Sequence, residues 1–274
     1  MYKGKKLVSL KHWRFALKYN LPLVPHYLSQ VLFNQTDKIM IQKLCGLSEA
    51  GIYSIANQIA WTVRLVLDAL HSALMPWAFK RLKAENPEPI GKRTLHVQCA
   101  VCAIGVVFSL FSPEIVYLFG GDKYMTAVYI VPPIASSAIF VTLYTFFGYI
   151  EFYYEKTKII MTSSIIVAVL NIVLNAIFIP VFGFIAAAYT TLASYIIYSL
   201  IHYYAMANIC KHEKIKNPFD AKLLYTIAFV TTAVNLSCML LYSYTVFRYI
   251  LSFVFVLASV YVFCKKKLYN VFLK

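Results

Sequence analysis

Charge is scarce in this sequence, and negative charge is the scarcer sign. Only 14% of the 274 residues are charged, and Asp and Glu together number 11. Ordinary soluble domains carry about 25% charged residues. So few acids, scattered along the chain, cannot build a carboxylate dyad, and no polar loop is long enough to hold a soluble catalytic domain. Gly-rich phosphate loops, a zinc-type His-Glu pair and a nucleophile elbow are also missing. No enzymatic activity and no cofactor are expected. Cysteine is sparse too. Cys45, Cys99, Cys102, Cys210, Cys238 and Cys264 lie singly in apolar stretches or at their ends and form no disulfide framework. His96, Cys99 and Cys102 share a helical face, but a fourth ligand is lacking nearby, and a free Cys is ordinarily a small buried hydrophobe. No metal is expected.

What the sequence has in abundance is apolar surface, at 61% hydrophobic and 16% aromatic residues. A soluble fold of this size could not hide that much from water, so lipid is the solvent for most of the chain. Polar punctuation divides it into eight apolar segments, about 20–44, 50–79, 94–119, 124–150, 158–180, 183–209, 221–243 and 248–264. The expectation is an all-α polytopic membrane helix bundle of about eight transmembrane helices.

The formal charge of +15 is distributed unevenly. Alternate connections, together with both ends of the chain, carry 21 of the 26 Lys and Arg; the opposite connections hold only Lys43, Lys123 and Arg248. This asymmetry predicts an even number of spans with both termini in the cytoplasm, in the cytoplasmic (inner) membrane. It explains the basic balance without nucleic acid. Residues 1–19 read as a basic amphipathic linker, with Leu7, Leu10, Trp13 and Leu17 on one face and Lys11, Arg14 and Lys18 on another. That pattern suits contact with membrane lipids at the inner interface.

Two segments differ from the rest. His26, Gln30, Asn34, Asp37 and Lys38 recur at helical spacing in the first, and Asn57, Trp61, Arg64, Asp68 and His71 do so in the second. A charged residue at the centre of a membrane helix costs about 2.5–3.5 kcal/mol even on a lenient scale. The stripes must therefore face protein or water. At 1.5 Å per residue from the turn at 45–49, Asp37 lies level with about Asn57, Gln30 with Arg64, and His26 with Asp68. Two readings stand. Either Arg64 and Asp68 neutralise each other inside the bundle, or both stripes line a hydrated cavity. In the second reading Arg64, Lys38, Asn34, Gln30, Asn57 and Trp61 are candidate cargo contacts. Asp37, Asp68, His26 and His71 are then candidates for ion coupling or charge pairing. Pro22 and Pro25 enter the first span, Pro132-Pro133 is expected to interrupt the fourth, and Pro180 with Gly183 is expected to make the tight turn between the fifth and sixth; bent helices suit a transporter.

Several stretches resemble the polysaccharide flippase family (O-antigen and teichoic-acid type) of the MOP exporter superfamily. They are Leu21-Pro22 through Asn34 to Ile41, Gly46 to Ser54 with Pro76-Trp77, and Phe119 to Tyr124 with Ile130 to Pro133. They continue with Tyr153 to Lys158, Asn171 to Asn175, and Pro180 to Gly183 with Ala186 to Thr191. The likeness covers about residues 20–205, in order. It implies a carrier that moves polyprenyl-pyrophosphate-linked oligosaccharide between leaflets for cell-surface polysaccharide synthesis. It also implies two six-helix lobes around a cationic cavity. On that reading residues 20–209 form the C-terminal lobe, 210–274 add two helices and a basic tail, and an N-terminal six-helix lobe is the missing partner. The expected alternatives are half of a cation-coupled multidrug exporter, or an inactive remnant.

Overall fold

The computed structural model describes residues 9–21 and 23–265, and every described element is helical. In chain order the helices are α1 (Leu10–Asn20), α2 (Leu23–Leu44), α3 (Leu47–Lys83), α4 (Glu88–Leu110), α5 (Ser112–Gly120), α6 (Val131–Tyr153), α7 (Thr157–Phe182), α8 (Ala186–His212), α9 (Ala221–Ser237) and α10 (Thr245–Lys265). Short 3₁₀ stretches, Asp122–Tyr129 and Cys238–Leu241, precede α6 and follow α9. Among the described residues four segments are long and apolar enough to cross a membrane: Glu88–Leu110, Val131–Tyr153, Thr157–Phe182 and Ala221–Leu241. α2, α3 and α8 match them in length, with 22, 37 and 27 residues. Their polar and tyrosine-rich faces dilute their apolarity.

Connections between consecutive long helices are short, so neighbours run in opposite directions. The alternation brings Lys80, Arg81, Lys83, Lys92, Arg93, Lys156, Lys158, Lys211, Lys214 and Lys216 to one end of the bundle, the lysine-rich end. There Arg93 lies 4.0 Å from the centre of the Trp77 ring, tying the start of α4 to the end of α3. Gly91 lets the α8–α9 connection close on α4, since a Cβ at that position would come within 1.8 Å of the Pro218 carbonyl oxygen.

α6 is the central post, 78% buried along its apolar window against 28% for α7. It packs against α8, α4, α3 and α9, while α2 leans on α7 and α10 on α4. Two large apolar clusters fill the interior, beside a small third one of Val106, Leu110 and Cys238. The larger joins Leu74, Val97, Phe140, Phe147, Tyr198 and Ala228, and the smaller joins Ile41, Tyr53, Ile59, Ile130 and Ala187 toward the other end. α7 turns Ile166, Val169, Val173 and Ile177 outward, a lipid-facing surface. α1 exposes Leu10, Trp13 and Leu17; Leu7 lies outside the described residues.

Three sequence expectations need correction. The third apolar segment is broken, because α4 ends at Leu110 and Pro113 opens the separate helix α5. Pro132-Pro133 does not interrupt a span. Both residues occupy the first turn of α6, where a missing N–H costs nothing. Arg248 belongs to a helix and not to a connection, since α10 begins at Thr245. Its side chain is buried and donates to the Leu110 carbonyl and to Glu114 Oε2, both at 2.6 Å. α7 ends two residues after Pro180, with Gly183 at φ +75° in the left-handed conformation that follows a helix.

Candidate functional site

The polar residues of α2 and α3 sort into two centres at different depths. The first lies in the half of the bundle that holds the α2–α3 turn. Asp37 is 4% exposed and accepts three hydrogen bonds, from Tyr53 Oη at 2.8 Å, Asn175 Nδ2 at 2.6 Å and Thr191 Oγ1 at 2.8 Å. Asn175 also donates to Asn171 Oδ1 at 3.2 Å and accepts from Thr190. Four helices, α2, α3, α7 and α8, thus converge on one carboxylate. A charge this deep is retained only where its lone pairs are satisfied. Nothing in the α7 and α8 sequences marked Asn171, Asn175, Thr190 and Thr191 as its partners beyond the presence of amides in an apolar run.

The second centre lies toward the lysine-rich end. Gln30 Nε2 approaches Tyr198 Oη at 3.5 Å, and Arg64 Nη1 donates to Tyr195 Oη at 3.3 Å. Arg64 Nε stands 3.9 Å from Asp68 Oδ2, so the intrahelical pair expected from the sequence is present, though loose. The two stripes meet through the tyrosines of α8. Tyr144 of α6 lies parallel to Tyr195 and has its ring centre 4.4 Å from that of Tyr198.

Beneath this layer opens a cavity of about 320 Å³ bounded by His26, Asp68, His71, Ser72, Tyr144, Tyr149, Tyr198 and His202, among others. His26, Asp68 and His71 therefore border one space, whereas Arg64, Gln30, Asn57 and Lys38 do not line this cavity. Lys38 and Asn57 are half-buried on their own helices. The side chains of Asn34 and Trp61 lie outside the described residues. His71 Nδ1 is 2.8 Å from Tyr149 Oη, and that hydroxyl reaches back to the His71 carbonyl at 3.1 Å.

Sequence reasoning missed a third feature of this wall. Glu151 and His202 are buried at 0% and 2% exposure, with His202 Nδ1 at 2.9 and 2.8 Å from the two carboxylate oxygens. The available signal was a single acid at the end of the fourth apolar segment and a single His in the sixth, each expensive in a membrane unless partnered. Among the described residues no group of three His, Cys, Asp or Glu side chains is placed to hold a metal ion.

The MatE family profile matches residues 22–177, more than half of the chain. This chain belongs to the MatE family. MatE proteins are membrane transporters of the MOP superfamily and not enzymes. Among curated relatives, the Lsg locus putative protein 1 of Haemophilus influenzae is 25% identical over 174 residues, covering 61% of this chain and 43% of that protein. An uncharacterized membrane protein of Methanocaldococcus jannaschii is 26% identical over 197 residues, or 72% of this chain and 46% of the relative. The probable low-salt glycan biosynthesis flippase Agl15 of Haloferax volcanii is 22% identical over 201 residues, or 72% and 43%. The chain thus spans about half the length of the curated relatives it matches. No solved structure matches it.

Proposed function

We propose that this MatE chain acts as the C-terminal lobe of a flippase for polyprenyl-pyrophosphate-linked oligosaccharide. A six-helix N-terminal lobe would complete it across the faces of α2 and α3. Residues 20–209 form the lobe on this reading, 210–274 the appended helices and tail, and the lysine-rich end lies in the cytoplasm at the inner membrane. The observation that carries the proposal is the aromatic, polar cavity of about 320 Å³ below Arg64, where four helices bring hydroxyl, imidazole and carboxylate groups together within an apolar bundle. A pyrophosphate needs a cation at low dielectric, and Arg64 supplies one. A sugar needs hydrogen-bonding groups beside aromatic surfaces, and the tyrosines supply both. The glycan flippase among the relatives agrees with this cargo class.

Movement against a gradient needs a coupling ion, and Asp37 suits that role. It is a buried carboxylate that accepts from the hydroxyls of Tyr53 and Thr191 and the amide of Asn175, a group that a coupling proton can neutralise. The test is translocation of a fluorescent lipid-linked oligosaccharide by the complete two-lobe protein in proteoliposomes. Arg64→Ala is expected to lower the rate about tenfold or more, the effect of losing roughly 1.4 kcal/mol. An unchanged rate removes Arg64 from the headgroup site. Transport of cationic drugs in place of glycolipid would favour the multidrug class.

A further inference from the structure

The buried pair Glu151–His202 has no part in the cargo contacts above, yet it borders the same cavity. We propose that Glu151 and His202 form a proton-binding site in the wall of this cavity, with His202 Nε2 as its accepting atom.

The geometry sets the chemistry. Both carboxylate oxygens of Glu151 lie within 2.9 Å of His202 Nδ1, so the Nδ1 hydrogen is committed to the carboxylate. Proton exchange is then left to Nε2. That nitrogen is buried, has no hydrogen-bond partner, and belongs to a side chain on the cavity wall. Without a proton on Nε2 the pair carries a net charge of −1 in the low-dielectric interior. A proton taken up on Nε2 makes the pair an imidazolium–carboxylate of net charge zero, which removes the cost of an uncompensated buried anion.

The surroundings offer no substitute counter-charge. The ionisable groups facing His202 across the cavity are His26 from α2, Asp68 and His71 from α3, Tyr144 and Tyr149 from α6, and Tyr198 from its own helix. No Lys or Arg is among the described residues that line this cavity. His71 is the internal contrast. It is equally buried, and its Nε2 also lacks a partner, but its Nδ1 faces the hydroxyl of Tyr149 and no carboxylate. His202 therefore takes the proton and His71 stays neutral.

This site is separate from Asp37. On α8, His202 lies 11 residues beyond Thr191, the Asp37 ligand, which is about 16 Å along the axis. The inference stands whatever the cargo.

Nitrogen-15 NMR of histidine-labelled protein in lipid nanodiscs reads the protonation of each ring directly. The six histidines are assigned by single His→Gln variants. At about pH 7, where an ordinary His is mostly neutral, His202 is expected to show two protonated nitrogens and His71 one. In Glu151→Gln the His202 signal is expected to become neutral while that of His71 is unmoved, which also reports an intact fold. A neutral His202 in the unaltered protein overturns the proposal, and that spectrum decides even if the variant fails to fold. An imidazolium that persists in Glu151→Gln overturns it as well.

Discussion

The carboxylate of Asp37 accepts three hydrogen bonds in the bundle interior, and its removal has a calculable cost. Tyr53→Phe deletes one donor, at 2.8 Å, while keeping the ring that lies 1% exposed in the smaller apolar cluster. A hydrogen bond to a charged group is worth about 1.5–3 kcal/mol, so this substitution should destabilise by roughly that amount. Asp37→Ala deletes the acceptor of three bonds. Asn175 keeps Asn171, and Thr191 keeps a 3.4 Å contact with the Asn171 amide, but the buried Tyr53 hydroxyl loses its carboxylate acceptor. The expected loss is about 3–5 kcal/mol, as for other broken buried charge networks. The two changes must not add. Once Asp37 is Ala, Tyr53→Phe removes a hydroxyl that has lost its charged acceptor and should be close to neutral, which leaves a coupling energy of about 1.5–3 kcal/mol. Equilibrium unfolding of the two single variants and the double variant in detergent, followed by tryptophan fluorescence, measures all four corners. Additivity within about 0.5 kcal/mol would refute the assignment of Asp37 to this network.

Other outcomes follow from the ends of the bundle. Arg248→Met should cost about 1–3 kcal/mol by removing the donors to the Leu110 carbonyl and Glu114, and should speed proteolysis at 242–244 as α10 loosens. Burial raises the Glu114 carboxyl, but the donors Arg248 and Tyr249 outweigh it and hold it below the usual carboxylate range. Its contribution is therefore present above the ordinary value of about 4.3 and lost as pH falls through the lower folded one. Thermal unfolding against pH should show that loss, and Glu114→Gln should remove it. Gly91→Ala places a methyl on the Pro218 carbonyl and should destabilise by about 1–3 kcal/mol, with increased cleavage of the 213–220 connection.

The helical membrane architecture was legible because hydrophobic runs near 20 residues and a one-sided distribution of Lys and Arg are strong signals. Breaks within the runs were harder. Ser112-Pro113 was a short breaker inside an apolar run, and what holds the break lies far away in sequence: Arg248 caps the Leu110 carbonyl from α10. The polar faces of α2 and α3 were readable from periodicity, but their partners were not. Asp37 turns to Asn175 and Thr191, which lie 138 and 154 residues away. Glu151 and His202 were overlooked because neither has a charged neighbour within a turn of it on its own helix. Only the packing of α6 against α8 makes them a pair.

The central claim is that the space between α2, α3, α6 and α8 is an aqueous chamber within a membrane-embedded lobe. The most direct measurement is labelling of single cysteines, in a background stripped of native ones, by a membrane-impermeant maleimide. Ser72→Cys on the cavity wall is predicted to react from water, whereas Val173→Cys on the outward face of α7 is predicted to stay unlabelled in the bilayer. A protected Ser72→Cys beside a reactive Val173→Cys would contradict the account.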